Sequence, residues 1–390
     1  MGRRRAIAYV VAVMCLVAAV SACGASTSGN PSETPCSPST GRATSAPHWV
    51  SIAQGFQPKG DWVSAVAVRP GCPALYVAIT GQGAVLRSEG GVSWESVAKL
   101  AIPSGHPVGT SIQLNGFVEG AGTFVAVGYA AEPEGPGGGV TLIDSPGREG
   151  LVWTSVDGVS WTLTILPDVD GTPIQIDRLT TYQNGFAGIA VKVIDTGAGL
   201  VRSSDGVTWT YSRIDDPTDY PFSEPFSGVV PLPDGRLALF RTSLRAARVG
   251  SCEYGGIEEV TGDLTTYTTT SLDDPCTFLN GPTSNGTSVV ALGHGSTADS
   301  GVSRLFASLD GVTWKPVPDD GRIVVPNLVG VTSSGVYVAA GDRAILESTD
   351  GTRWTIAVQS ATDQSLSVAA AGDLVIECGA PTCIAYSVTP

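Results

Sequence analysis

The feature that most restricts what this chain can fold into is a short motif that returns along it at long, nearly even intervals. Ser155-Val-Asp157-Gly158-Val-Ser-Trp161 recurs as Ser203-Ser-Asp205-Gly206-Val-Thr-Trp209, Ser308-Leu-Asp310-Gly311-Val-Thr-Trp314 and Ser348-Thr-Asp350-Gly351-Thr-Arg-Trp354. Two weaker copies join them. The one from Ser88 to Trp94 lacks the Asp, and the one from Thr261 to Tyr267 keeps Asp263 while replacing Ser, Gly and Trp. The six starting positions lie about 52 residues apart on average, the length of a unit of four short strands, and self-similarity at that period points to radially repeated sheets.

Each copy has a mechanical reading. Asp-Gly between alternating apolar stretches is a hairpin signal, and a short carboxylate can accept hydrogen bonds from the amides of its own turn. The Trp is then expected to start the next strand and pack inward. Strand-like runs at 62–69, 74–80, 84–88 and 92–98 make one unit with the motif between its third and fourth strands, and five further units end near residues 164, 212, 270, 317 and 358. Only three runs remain after that, at 366–371, 374–377 and 384–388, and the apolar segment 48–53 supplies the missing fourth. The expected fold is therefore all-β: a seven-bladed β-propeller over residues 48–390, closed by an N-terminal strand in the C-terminal blade, with six blades as the alternative. Closure removes exposed sheet edges. The 49 Gly and 26 Pro also disfavour a helical bundle.

Residues 1–22 have the layout of an export signal: Arg3, Arg4 and Arg5, then an apolar run over 6–20 that is too short to span a bilayer comfortably, then small residues. Val20-Ser21-Ala22-Cys23-Gly24 resembles the lipobox of bacterial lipoproteins, which implies cleavage before Cys23 and diacylation of its thiol. Two acyl chains make a stable anchor where one holds only reversibly. Residues 23–47, beginning at that cysteine, are almost all Ser, Thr, Gly, Pro and Ala after it, without apolar periodicity, and read as a disordered tether. The expected location is the extracytoplasmic face of a bacterial membrane. The formal charge of −14 becomes −17 once the three signal arginines are removed, which disfavours a nucleic-acid partner.

The repeat resembles the Asp-box (BNR) motif of sialidases and related propellers, whose usual form has one more residue between Asp and Gly. Here the Gly follows the Asp directly in every copy that keeps the pair, which indicates a tighter turn. The resemblance implies the propeller architecture and no particular activity. It takes in sialidases, enzymes that cleave xyloglucan with paired Asp residues, and propellers that assist photosystem assembly. Sialidase chemistry needs an arginine cluster, a Tyr–Glu pair and an Asp acid; no Arg-Ile-Pro segment of the sialidase type occurs, and no catalytic residue is nominated. G-x-S-x-G, HExxH and P-loop patterns are missing as well. The box aspartates Asp157, Asp205, Asp263, Asp310 and Asp350, spread one per blade, are expected to hold turns.

Six cysteines remain after the signal and the lipidated Cys23: Cys36, Cys72, Cys252, Cys276, Cys378 and Cys383. In an exported chain they allow three disulfides in any of about 15 connectivities. Proximity favours Cys378 with Cys383 and Cys252 with Cys276, leaving Cys36 for Cys72. With three histidines, His48, His106 and His294, and no paired CxxC, zinc is disfavoured. No cofactor is expected, save that Ca²⁺ would suit an acidic loop face.

Such a face is suggested by the connections leading from one blade to the next, opposite the Asp-boxes. They carry Asp168 and Asp170, then Asp215, Asp216 and Asp219, then Asp273 and Asp274, then Asp319 and Asp320, with Arg241, Arg245 and Arg248 as one basic spot in a connection between second and third strands. Turn chemistry alone accounts for Asp at such places; the functional alternative is recruitment of a cationic partner. His106 and His294 are expected to be solvated, and Trp62 and Trp153 to pack in the core. The function expected overall is a non-enzymatic binding or assembly platform with a protein or glycan ligand, the alternative being a divergent glycoside hydrolase.

Overall fold

The computed structural model describes residues 48–56, 61–132, 149–192, 198–214, 226–242, 255–260, 267–271, 277–295, 303–318, 326–332, 334–341, 344–359, 367–379 and 382–389. Residues 1–47, with the expected signal segment, Cys23 and the expected tether, lie outside these residues.

The described chain is all strand and turn: 28 strands fall into seven four-stranded antiparallel sheets. In chain order their first strands are Val63–Arg69, Ser111–Gly120, Ile174–Tyr182, Phe226–Pro231, Thr277–Ser284, Pro326–Val331 and Ser367–Ala371. Six sheets are sequential meanders; in the seventh, the strand His48–Phe56 takes the fourth place against Thr382–Thr389, with His48 opposite Thr389 and Phe56 opposite Cys383. Each first strand touches the first strand of the next sheet, and Ser367–Ala371 touches Val63–Arg69. This is a β-propeller, with the first strands innermost.

The core lies between successive sheets, because a sheet apolar on both faces must be covered on both. Second strands accordingly read as continuous hydrophobic runs, such as Leu75–Thr80 and Thr123–Ala131, and are almost wholly buried. Val77, Ile79, Phe124 and Trp153 share one cluster spanning the first two sheets, while Val125, Val127, Ile176 and Phe186 share the next. Trp153 is fully buried, its indole donating to the Ala101 carbonyl at 2.8 Å. Trp62 departs from expectation: it precedes its strand and is 51% exposed, because its ring lies over Gly81 at the edge of the sheet.

The expected disulfide Cys378–Cys383 is present, joining residues that face each other across adjacent strands. Cys72 is disulfide-bonded too. Cys36, its expected partner, and the pair Cys252 and Cys276 fall outside the described residues.

Candidate functional site

The box turns are built alike in four sheets. In the turn from Ser155 to Trp161, the amide of Gly158 donates to Ser155 Oγ at 2.8 Å, Ser155 Oγ donates to Asp157 Oδ1 at 3.0 Å, and the amides of Val159 and Ser160 donate to the same Oδ1 at 2.8 and 2.7 Å. The same set recurs around Asp205, Asp310 and Asp350. The amides of Ser160 and Val159 pull the Asp157 carboxyl down to about 2, and those of Thr208 and Val207 lower Asp205. At Asp310 and Asp350 partial burial pushes upward, yet the turn amides still hold both below the usual carboxylate range. Asp263 lies outside the described residues.

Gly158, Gly206, Gly311 and Gly351 all have φ between 74° and 77°, the left-handed region that suits Gly. A Cβ on them would meet Val77, Val125, Leu232 and Val290 of the preceding sheet at 2.6, 2.5, 2.2 and 2.6 Å. The turn therefore also seats each sheet on its neighbour. Trp161, Trp209, Trp314 and Trp354 close the turn rather than start the next strand, which begins one residue later, because each indole N–H donates back to the carbonyl of its box Gly. Trp94 does the same with Gly91 in the copy that lacks Asp. These aspartates hold turns, one to a sheet.

The inner strands carry a second repeated device that the sequence does not announce. Six of the seven first strands bulge, leaving out of register Ser64, Asn115, Asp177, Ser227, the pair Gly281-Pro282, and Asn327. An extra residue in a strand re-aims its side chain and frees it from the ladder. Three successive inter-sheet bonds lie at or beside these bulges: Asn115 Nδ2 donates to the Ile176 carbonyl at 3.1 Å, Arg178 Nε, next to the bulged Asp177, to the Ser227 carbonyl at 3.2 Å, and Ser227 Oγ to the Leu279 carbonyl.

The seven first strands hold four charged residues, Arg69, Glu119, Asp177 and Arg178. They form two ion pairs. Arg69 Nε lies 3.1 Å from Glu119 Oε1, and the same guanidinium donates to the carbonyls of Val156 and Gly122 at 2.6 and 2.7 Å while lying over the Phe124 ring. Arg178 Nη1 lies 3.1 Å from Asp177 Oδ2. Burial raises the Asp177 carboxyl, with Arg178 opposing.

A cavity of about 410 Å³ opens where the turns between first and second strands of the second, third and fourth sheets meet, lined among others by Glu119, Ala121, Tyr182, Gln183, Asn184 and Gly235. Ala121, Gln183 and Asn184 have positive φ. Gln183 spans the rim, its Nε2 donating to Tyr182 Oη at 2.9 Å and its Oε1 accepting from Arg202 at 3.2 Å, while Tyr182 Oη donates to the Gly235 carbonyl of the next sheet. Because Arg69 joins such a turn, at Gly122, to a box turn, at Val156, the cavity lies on the box-bearing side of the ring.

On the opposite side, Asp168 and Asp170 are exposed, and Asp170 Oδ2 accepts from Lys192 Nζ at 3.3 Å, so half of that acidic pair has a local structural role. Asp215, Asp216, Asp219, Asp273, Asp274, Asp319, Asp320, Arg245 and Arg248 lie outside the described residues. Arg241 belongs to the strand Leu237–Thr242, opposite Gly256, and not to the connection after it. His106 is not solvated: its side chain is 11% exposed, with Nδ1 3.7 Å from Glu132 and Nε2 3.6 Å from Glu149. Among the described residues no cluster of His, Cys, Asp or Glu converges on a metal position.

No family model and no curated protein matches the sequence. Solved structures do resemble the fold. YCF48 bound to D1 peptide matches with TM-score 0.56 and 13% identity, over 89% of this chain and 99% of that one. An inactive histidine variant of virginiamycin B lyase from Staphylococcus aureus, with quinupristin, matches with TM-score 0.56 and 8% identity, over 88% and 100%. The extracellular domain of a putative hybrid two-component system from B. thetaiotaomicron matches with TM-score 0.51 and 11% identity, over 88% of this chain and 40% of that one. At these identities the likeness is one of fold, and the fold serves peptide binding and lyase chemistry alike.

Proposed function

We propose that this chain is a lipid-anchored, extracytoplasmic propeller that acts as a non-enzymatic binding or assembly platform for a protein or glycan ligand. The observation that carries the reading is the pairing of all four charged residues on the inner strands: Arg69 with Glu119, Arg178 with Asp177. Glycosidase chemistry requires two carboxyl groups free to face one bond, and sialidase chemistry a cluster of arginines. Here Arg69 with Glu119 joins the first sheet to the second, Arg178 reaches from the third sheet to the Ser227 carbonyl of the fourth, and Asp177 is held by its own strand neighbour Arg178. The peptide bound by YCF48 is a precedent for such use of the fold. The ligand face is taken to be the side opposite the box turns, where the acidic connections attract a cationic partner.

In the same reading the seven sheets are seven blades of one ring; the contact of each first strand with the next supports this over six.

A panel of fluorogenic glycosides, sialosides included, offered to the purified full chain tests the absence of catalysis. The expected result is no turnover above buffer. Turnover abolished by Glu119→Gln or Asp177→Asn would overturn it in favour of a glycoside hydrolase. Anchoring is tested by Cys23→Ser, which is expected to end acyl labelling and move the protein to the soluble fraction.

A further inference from the structure

The box turns present something besides hydrogen bonds. Val92, Val156, Val159, Val207 and Leu309 sit within them and are 55, 67, 41, 43 and 75% exposed. They stand at repeated positions of the turns in the first, second, third and fifth sheets, all on the side of the ring where Arg69 joins a first-to-second strand turn to a box turn. Scattered exposed aliphatics need no explanation, but a set repeated on one face marks an interaction surface. Of the other exposed apolar side chains, Trp62 and Val108 belong to connections on the opposite side, and Ile165 and Ile356 to the fourth strands Thr162–Ile165 and Thr355–Gln359, outside the turns.

Topology adds where the chain enters. In the first six sheets the box position joins the third strand to the fourth, so a fourth strand starts on the box-bearing side. The strand His48–Phe56 is the fourth of its sheet, and His48 stands opposite Thr389 at the end of the third. The N-terminal segment therefore reaches the ring on the same side as the exposed aliphatics. From Cys23 to Pro47 that segment is 25 residues long.

We propose that the box-bearing face is the membrane-facing surface of the protein, with Val92, Val156, Val159, Val207 and Leu309 resting in the lipid headgroup boundary. This rests on the lipid-anchor reading above. The occupant is a lipid surface because the attachment point and the aliphatic side chains share one face.

The full lipidated chain is reconstituted in vesicles of phosphatidylethanolamine and phosphatidylglycerol, and a bilayer-partitioned diazirine is photolysed to a carbene. Labelling of peptides containing Val156, Val159, Val207 and Leu309 is expected to exceed that of peptides containing Trp62 and Val108 several-fold, and to fall to their level in the variant V156S/V159S/V207S/L309S, which still floats with the vesicles through its lipid. Flotation with equal labelling of both faces, or with none, would overturn the orientation while leaving the anchor intact. Failure of the native chain to float would overturn both. Shielding of these side chains from a water-soluble carbene precursor by an added protein and not by vesicles would assign the face to a protein partner and overturn the proposal.

Discussion

The box turns and the inner-strand bulges are both repeated around the ring, but only the turns are repeated in sequence. In a box turn the side chains of Ser155 and Asp157 bond to backbone two and three residues away, so the geometry needs those residues at those spacings. A bulge needs only one residue too many in a strand, and its side chain is left to differ: Asn115, Asp177 and Ser227 stand at equivalent places and bond differently. Turn chemistry thus constrains sequence, whereas strand irregularity frees it.

The sharpest way to break the comparison is to remove what both regions depend on, the closed ring. Deleting residues 24–56 takes away the strand paired with Thr382–Thr389 and is expected to produce an aggregating protein without a cooperative melt, whereas deleting residues 24–35 leaves the melting temperature unchanged.

Next in size is the seating of the turns. Gly206→Ala is expected to cost about 2–4 kcal/mol, combining left-handed strain with a Cβ driven against Val125. Gly90→Ala, at nearly the same φ but with nothing within 4 Å, is expected to cost about 1–2 kcal/mol. Equal shifts in urea midpoint for the two variants would mean that the box turn does not seat one sheet on the next.

The box carboxylate comes third. Asp157→Ala removes the acceptor of two amides and a hydroxyl at an exposed turn, with an expected loss of about 1–3 kcal/mol at pH 7. Since the folded-state pKa lies below the unfolded value, the wild-type contribution is full above roughly pH 4 and fades as pH falls toward about 2. The gap between the two proteins in urea melts is therefore expected to close on acidification; a gap constant from pH 7 to pH 2.5 would separate the turn's stability from its charge.

The smallest effect, and of opposite sign in pH, belongs to the bulge. Burial raises Asp177, so the native state holds its proton more tightly than the unfolded chain and wild-type stability falls as pH rises through the folded pKa. Asp177→Asn is expected to lie within about 1 kcal/mol of wild type, since the partly exposed Arg178 can be solvated. Its stability relative to wild type should increase with pH above roughly 4. A relative decrease over that range would show that the ion pair outweighs the burial.

Much of the fold was legible because the repeat is local. The strand boundaries of the first sheet follow from its apolar runs, and the pairing of residues 48–56 with the last sheet follows from counting strands. The candidate site was less legible. The partnering of Arg69 with Glu119, Val156 and Gly122, and the cavity beside Tyr182 and Gln183, join residues from about 50 to nearly 90 positions apart that carry no motif. His106 reads as a solvated residue in a Gly-rich connection because the two glutamates beside it come from both ends of another connection. Trp62 fails for a related reason: an aromatic next to a strand reads as core whenever the sheet edge above it is invisible.

The strand His48–Phe56 is among the first parts of the ring to be synthesised, and its partner Thr382–Thr389 is the last. Contacts of that sequence separation are intrinsically slow to form, and an unpaired edge is exposed to misassembly while it waits. The ring therefore cannot close until the chain has been delivered as far as Thr389. A chain cut short anywhere before its final strand keeps an open edge, which makes completeness of synthesis, and not merely correctness of any one sheet, a condition for escaping proteolysis.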